Sequence, residues 1–315
     1  MTNFSYFILV FRSFYTTFAN KTIKKMRKSV LLTIGAMVVM ISCNHQQRTT
    51  SAESSDSLST DSAAIAVSND RPADSLQTDS VSYEKTEGIY KLDLFAEFPV
   101  SGGDSVVKAV REFINDFWGG SYDGPLSDGQ AMAQRNGEML WGSFLEMCGD
   151  ADMEMVNELF LYKMVNKLYE TKSLVTFQAM AGQYTGGAHG IGYETGHTFS
   201  KKTGETFGYE MMQHLDRPAF KRLIKEGLKQ FFCSDSKQKD MSDEDLLNEL
   251  VSYDGSADQL PLPDAEPYMT EKGVTFIYQP YEISYYAAGR PEFTIPYDVV
   301  EPYLTPQALK LFLNK

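Results

Sequence analysis

Two histidines are the most chemically suggestive residues in this chain. His189 follows the glycine pair in Gln183-Tyr184-Thr185-Gly186-Gly187-Ala188-His189-Gly190, and His197 lies on the next strand-like stretch. Even spacing along a strand would put both imidazoles on one face, the start of a metal site or an acid–base pair. A third ligand at a helpful spacing is missing: H-E-x-x-H does not occur, and His214 falls at the edge of a different element. The expected role of His189 is therefore structural, with a ring nitrogen bonded to backbone beside the turn. Nucleophile signatures are missing too, neither G-x-S-x-G nor S-x-x-K with its partner motifs. No catalytic residue, no metal site and no cofactor is assigned.

The second candidate is the tyrosine-rich stretch Tyr278-Gln279-Pro280-Tyr281-Glu282-Ile283-Ser284-Tyr285-Tyr286-Ala287-Ala288-Gly289. Tyrosine supplies a large rigid contact surface with a polar tip, so Tyr278, Tyr281, Tyr285 and Tyr286 with Glu282 could form a recognition surface. The favoured expectation is plainer: alternate residues pack into the core and the others cover a sheet edge. Three cysteines, Cys43, Cys148 and Cys233, are too few and too scattered for a zinc site or a disulfide framework. An exported domain could still pair Cys148 with Cys233.

The turn with Tyr184, Gly186, Gly187 and His189, the tyrosine stretch ending at Gly289, and Thr294-Ile295-Pro296-Tyr297 occur in this order. Together they resemble the RsiV-type extracytoplasmic domain family, a domain of unknown function, over about residues 84 to 305. In that family an N-terminal half leads into the YTGGAH segment and the C-terminal half carries the other two motifs. Some relatives use the domain to sense lysozyme within an anti-sigma factor, and others carry it ahead of a peptidoglycan deacetylase. Neither added part is visible in this sequence. The resemblance implies a binding domain at the cell envelope.

The formal net charge of −13 and the pI near 4.8 exclude nucleic acid as a ready partner, since phosphates would be repelled. A basic protein partner is compatible with that charge. The N-terminal segment points to the envelope independently. After Met26, Arg27 and Lys28 precede an apolar run from Val30 to Ile41, and Ser42-Cys43 follows. That is the layout of a secretory signal peptide, too short to span a bilayer comfortably. Its small-residue–cysteine end resembles a lipoprotein box, with Met40 where such boxes usually have leucine. Cys43 is thus expected to be lipidated and to anchor the mature chain to a membrane, with the domain facing the periplasm or exterior.

Five segments follow from composition: 1–25 as an upstream extension, 26–42 as the lipoprotein signal peptide, 43–82 as a disordered tether, and 83–189 and 190–315 as the two halves of the folded part. The tether is rich in Ser, Thr, Asp and Gln, and such a stretch buries too little apolar surface to offset its ordering entropy.

Hydrophobic periodicity lays out the folded part. A strand is expected from Ile89 to Val100, a helix from Asp104 to Phe117 with Val106, Val110, Phe113 and Ile114 on one face, and a second helix from Ser127 to about Met147. Gly129 and Gly137 weigh against the second helix. Phe160–Tyr169 and Ser173–Tyr184 form a hairpin, Tyr193–Phe199 another strand, with Glu205–Gly208 resuming the pairing. Helices from Asp216 to Phe232 and from Ser242 to Val251 come next, then strands around Tyr268–Glu271, Val274–Tyr278 and Phe293–Pro296, and short terminal helices. The fold class expected is α+β, with antiparallel sheets and packed helices, the two halves meeting at Tyr184–Gly190.

The function expected is a non-enzymatic, lipid-anchored envelope protein that binds a lysozyme-like muramidase or a wall glycan. The alternative is a cell-wall hydrolase or deacetylase using His189 and nearby carboxylates.

Overall fold

Along one strand, Leu92, Leu94, Ala96 and Phe98 are buried while Lys91, Asp93, Phe95 and Glu97 between them are not. This period of two fixes which face of the sheet meets the core. The structure, a computed structural model, describes residues 75–149, 156–234 and 240–314. The signal peptide, Cys43 and the tether up to residue 74 lie outside the described residues. Among those described, no helix is long and apolar enough to cross a membrane.

The fold is mixed α+β. Five strands, β1 (Gln77–Glu87), β2 (Tyr90–Ser101), β3 (Leu159–Glu170), β4 (Leu174–Tyr184) and β5 (Ile191–Ser200), lie side by side in chain order. All neighbours are antiparallel except β2 and β3, which run parallel. The antiparallel pairing expected from the sequence thus has one exception, this pair. A parallel pair needs a long crossover, supplied here by the helices α1 (Asp104–Trp118) and α2 (Gly129–Cys148) between the two strands.

Both helices pack on the same face of this sheet. Val106, Val110, Phe113, Ile114 and Phe117 of α1 are buried against Leu94, Phe177 and Phe199 in one apolar cluster. The glycines that weighed against α2 have a packing reason. A Cβ on Gly137 would overlap the Tyr83 ring and one on Gly129 would press on Phe98, so both positions let β1 and β2 approach the helix closely.

β1 departs from expectation. Residues 77–82, assigned to the tether, are strand, and Leu76 just before them is buried. Only Val81 in β1 is buried, so no apolar alternation marks it, yet its backbone pairs with β2 from end to end. Likewise β5, assigned to the C-terminal half, is the fifth strand of the first sheet, so the structural divide falls after Ser200. Glu205–Gly208 contributes a single bridge, Phe199 to Thr206, rather than a strand.

The second unit is a three-stranded antiparallel sheet of β6 (Tyr268–Met269), β7 (Gly273–Ile277) and β8 (Glu292–Pro296). It packs with α3 (Pro218–Ser234) and α4 (Asp243–Glu249), where Phe220, Ile224 and Leu228 at helical spacing share a core with Leu246, Phe276 and Ile295. Ser242 caps α4 in a reciprocal capping box with Asp245. The two sheets meet through Met269: its N–H donates to Thr198 Oγ1 at 2.8 Å and its carbonyl accepts from Thr176 Oγ1 at 2.7 Å.

Candidate functional site

The turn from β4 to β5 must reverse the chain in six residues. Gly186 and Gly187 both hold positive φ, 101° and 98°, where a side chain is strained. The Tyr184 hydroxyl donates to the Gly187 carbonyl at 2.8 Å, bracing the turn from its first side. At the other end, His189 Nδ1 lies 2.8 Å from the Gly190 carbonyl. A carbonyl can only accept, so Nδ1 donates to it, and Nε2 lies 3.1 Å from the Tyr281 hydroxyl. The imidazole also stacks on Tyr286, with centroids 3.9 Å apart and planes 18° from parallel. The glycine turn and the tyrosine stretch, far apart in sequence, thus form one surface feature.

The tyrosine stretch is not the alternating strand-and-edge segment expected. β7 ends at Ile277, and from Tyr278 to Gly289 the chain is loop with one turn of 3₁₀ helix at Tyr286–Ala288. Tyr278, Ile283 and Ser284 are the buried members; the Tyr278 hydroxyl donates to the Pro261 carbonyl at 2.6 Å. Tyr281 and Tyr285 are exposed, at 51% and 42%. Tyr281 itself holds a positive φ of 68°, unusual for an aromatic residue, and Gly289 ends the loop at 77°. Tyr285 donates to Glu249 at 3.0 Å, tying the loop to α4.

Glu282 holds the loop from inside. Its carboxylate accepts the Gln279 N–H at 2.7 Å and the Asp264 N–H at 2.6 Å. Burial pushes its acid pKa up to about 7 despite those two bonds. Gln279 turns its side chain to the outer edge of β5, donating to the Glu194 carbonyl at 2.8 Å and accepting the Glu194 N–H at 3.2 Å. A side-chain amide here takes the place of a sixth strand for one residue.

Beside this junction lies an open groove of about 600 Å³, within the range of small-ligand and peptide sites. Phe160, Tyr162, Gly182 and Gly192 line it from the face of the first sheet opposite α1 and α2, and Tyr286 and Arg290 line it from the loop. Phe160 and Tyr162 stand nearly parallel, centroids 6.1 Å apart. A Cβ on Gly182 would meet the Tyr162 ring, so glycine is what lets that ring lie over β4. Three charged groups reach the groove: Glu194, Arg290 and Glu292. Arg290 pairs with Glu194, whose other oxygen accepts from Gln178 at 2.5 Å. The Glu292 carboxyl is held above its ordinary value, first by desolvation and then by the Glu194 charge.

His197 is not part of this site. It faces the helices, its ring 4.2 Å from that of Phe113, and burial lowers its pKa to about 4. His189 lies before the start of β5, so the shared-face expectation fails because only one of the two residues is in the strand. Cys148 is buried and Cys233 half-buried, and the two are not joined in a disulfide, so the possible pairing is not formed. Burial pushes the Cys148 thiol up to about 11, which makes it a packing residue rather than a nucleophile. Among the described residues, no three His, Cys, Asp or Glu side chains gather where they could hold a metal. Sequence reasoning missed Glu194, Arg290 and Glu292. Arg290 directly follows the quoted tyrosine stretch, but no local pattern singles out the two glutamates.

Residues 216–298 match the family model described as a protein of unknown function, DUF3298. The match runs from just before α3 to just past β8 and takes in the tyrosine stretch, Arg290 and Glu292, while the glycine turn lies before it. Two solved structures are similar in fold. A DUF3298 family member from Bacteroides fragilis NCTC 9343 has a TM-score of 0.53 at 19% identity, covering 74% of this chain and 95% of its own. A DUF3298 family protein from Pseudomonas aeruginosa PAO1 has a TM-score of 0.51 at 16% identity, covering 74% and 96%. Comparison with curated proteins finds no match. The expected kinship with a domain of unknown function is met at that level.

Proposed function

We propose that this chain is a lipid-anchored envelope protein whose folded part is an RsiV-type binding domain, held to a membrane through Cys43 and presenting the His189–Tyr286 junction and its groove to a lysozyme-like muramidase or a wall glycan. The observation that carries this reading is the junction itself. Two of the motifs behind the resemblance, separate in sequence, are brought together at the surface, where Tyr281, Tyr286 and His189 form an aromatic cluster beside an open groove. Exposed, braced aromatics provide contact area at low entropic cost, as binding surfaces require. Both ring nitrogens of His189 are engaged, one by a backbone carbonyl and one by a tyrosine hydroxyl, and neither partner is a carboxylate. That favours a positioning role over the acid–base role a hydrolase would ask of it.

The test uses the purified full chain with a muramidase and with soluble peptidoglycan fragments, beside Tyr286→Ala and His189→Gln. Saturable binding weakened roughly ten-fold in Tyr286→Ala, the scale of losing one buried aromatic contact, supports the reading. Turnover of the fragments that disappears in His189→Gln would replace it with the hydrolase or deacetylase.

A further inference from the structure

Three observations at the groove bear on the chemistry of its occupant. The charged groups that line it are two carboxylates and one guanidinium, and the guanidinium of Arg290 is already taken by Glu194. Glu292 therefore shares one guanidinium with a second carboxylate: Arg290 is ion-paired to Glu194 and reaches Glu292 only through its charge, while the hydrogen-bond partner of Glu292 is the uncharged Tyr268 hydroxyl. Second, the floor offers near-parallel aromatic faces, Phe160 and Tyr162, with Tyr286 on the opposite wall. Third, Gly182 lets the Tyr162 ring lie over the floor, and Gly192 leaves room for the Arg290 guanidinium beside it.

We infer that the groove seats a basic side chain, an arginine in an extended segment of a partner protein, with its guanidinium at Glu292 and its flat face on the Phe160–Tyr162 pair. Arginine meets both demands at once. Its planar, weakly hydrated guanidinium stacks on aromatic rings while its N–H groups reach a carboxylate. A neutral sugar would leave the two carboxylates with a single guanidinium between them, and an anionic one would add a third negative charge. The net charge of −13 draws basic proteins to this surface generally, and the groove adds a specific place for one residue. The inference rests on the binding-domain reading and narrows it to the protein class of ligand.

The test is a fluorescently labelled tetrapeptide carrying one arginine, compared with the same peptide carrying citrulline, the neutral isostere. Anisotropy is measured on the full chain, on Glu292→Gln and on Phe160→Ala. Glu244→Gln, at the exposed start of α4, controls for the general attraction of an acidic protein. The expected result is a preference for arginine of roughly five-fold, the scale of one partly exposed charge pair with an aromatic face, kept in Glu244→Gln and reduced to near one in Glu292→Gln. Phe160→Ala should weaken the arginine peptide more than the citrulline one. A glutamine at 292 can still accept from the Tyr268 hydroxyl, so the variant should melt as the wild type does, and its melting temperature is recorded alongside. Equal binding of the two peptides, or a preference that survives Glu292→Gln, overturns the inference. Muramidase or glycan binding without any arginine preference overturns it too, while leaving the binding-domain reading in place.

Discussion

The Glu170 carboxylate accepts the Leu76 backbone N–H at 2.7 Å, tying the start of the described chain to the β3–β4 hairpin 94 residues later. Ser75, Lys167 and Lys201 converge on the same carboxylate, at 3.0, 3.0 and 2.8 Å. Under the proposed anchoring through Cys43, this is where a pull on the N-terminal segment would first meet the fold.

Replacing Glu170 with Gln leaves two lysines near a neutral group and weakens four hydrogen bonds. The expected loss is roughly 2–3 kcal/mol, since the site is mostly buried and its bonds are charge-assisted. Urea unfolding of the variant against wild type measures it. Opposite charges and hydrogen bonds hold the Glu170 pKa below its ordinary value against the opposing effect of burial, so its contribution is present above about pH 4.5 and is lost as the pH falls through the folded-state value. A chain beginning at Ser82 loses Leu76 and the first half of β1, and should melt well below one beginning at Asn44.

Gly187→Ala tests backbone strain with little else changed. A Cβ there meets nothing within 4 Å, but φ is 98°. A loss of roughly 1 kcal/mol is expected, from backbone conformation alone. An unchanged melting temperature would mean that the turn adapts at no cost.

Thr198→Val addresses the contact between the sheets. The change keeps the side-chain shape but removes the acceptor for the Met269 N–H and a hydroxyl partner of Thr176. A buried unpaired N–H costs about 1–3 kcal/mol. Thr176→Val should cost less, because it leaves an under-satisfied carbonyl, which is tolerated better than an orphaned N–H. Equilibrium unfolding of both variants ranks them.

His197 sets an acid-side dependence. Its folded pKa of about 4 lies below the ordinary 6.5, so between those values the unfolded chain binds a proton that the folded chain does not. Stability should fall as the pH drops from 6.5 towards 4, by up to roughly 3 kcal/mol at about 1.4 kcal/mol per unit. Below that window this contribution is constant. His197→Gln should flatten that part of the profile, and the difference between the two curves isolates it from the carboxylates. Parallel curves would show that the ring is more hydrated than its place against Phe113 suggests.

The elements whose stabilisation is local were legible in the sequence. Val106, Val110, Phe113 and Ile114 announce α1, Phe220, Ile224 and Leu228 announce α3, and the glycine pair announces a sharp turn, because helical spacing and positive φ are properties of neighbouring residues. The α+β class followed from them. What the tertiary structure alone decided are the pairings made at long range. β1 has a polar sequence and is held by backbone bonds to β2, which any side chains can accompany. The parallel β2–β3 pair depends on where α1 and α2 deliver the chain. His189 meets Tyr281 across 92 residues, and Glu194 meets Arg290 across 96, contacts that exist only once β5 and the loop after β7 have been packed together. The candidate site is built from such contacts, so the sequence could name its tyrosines and glycines but not the groove between them.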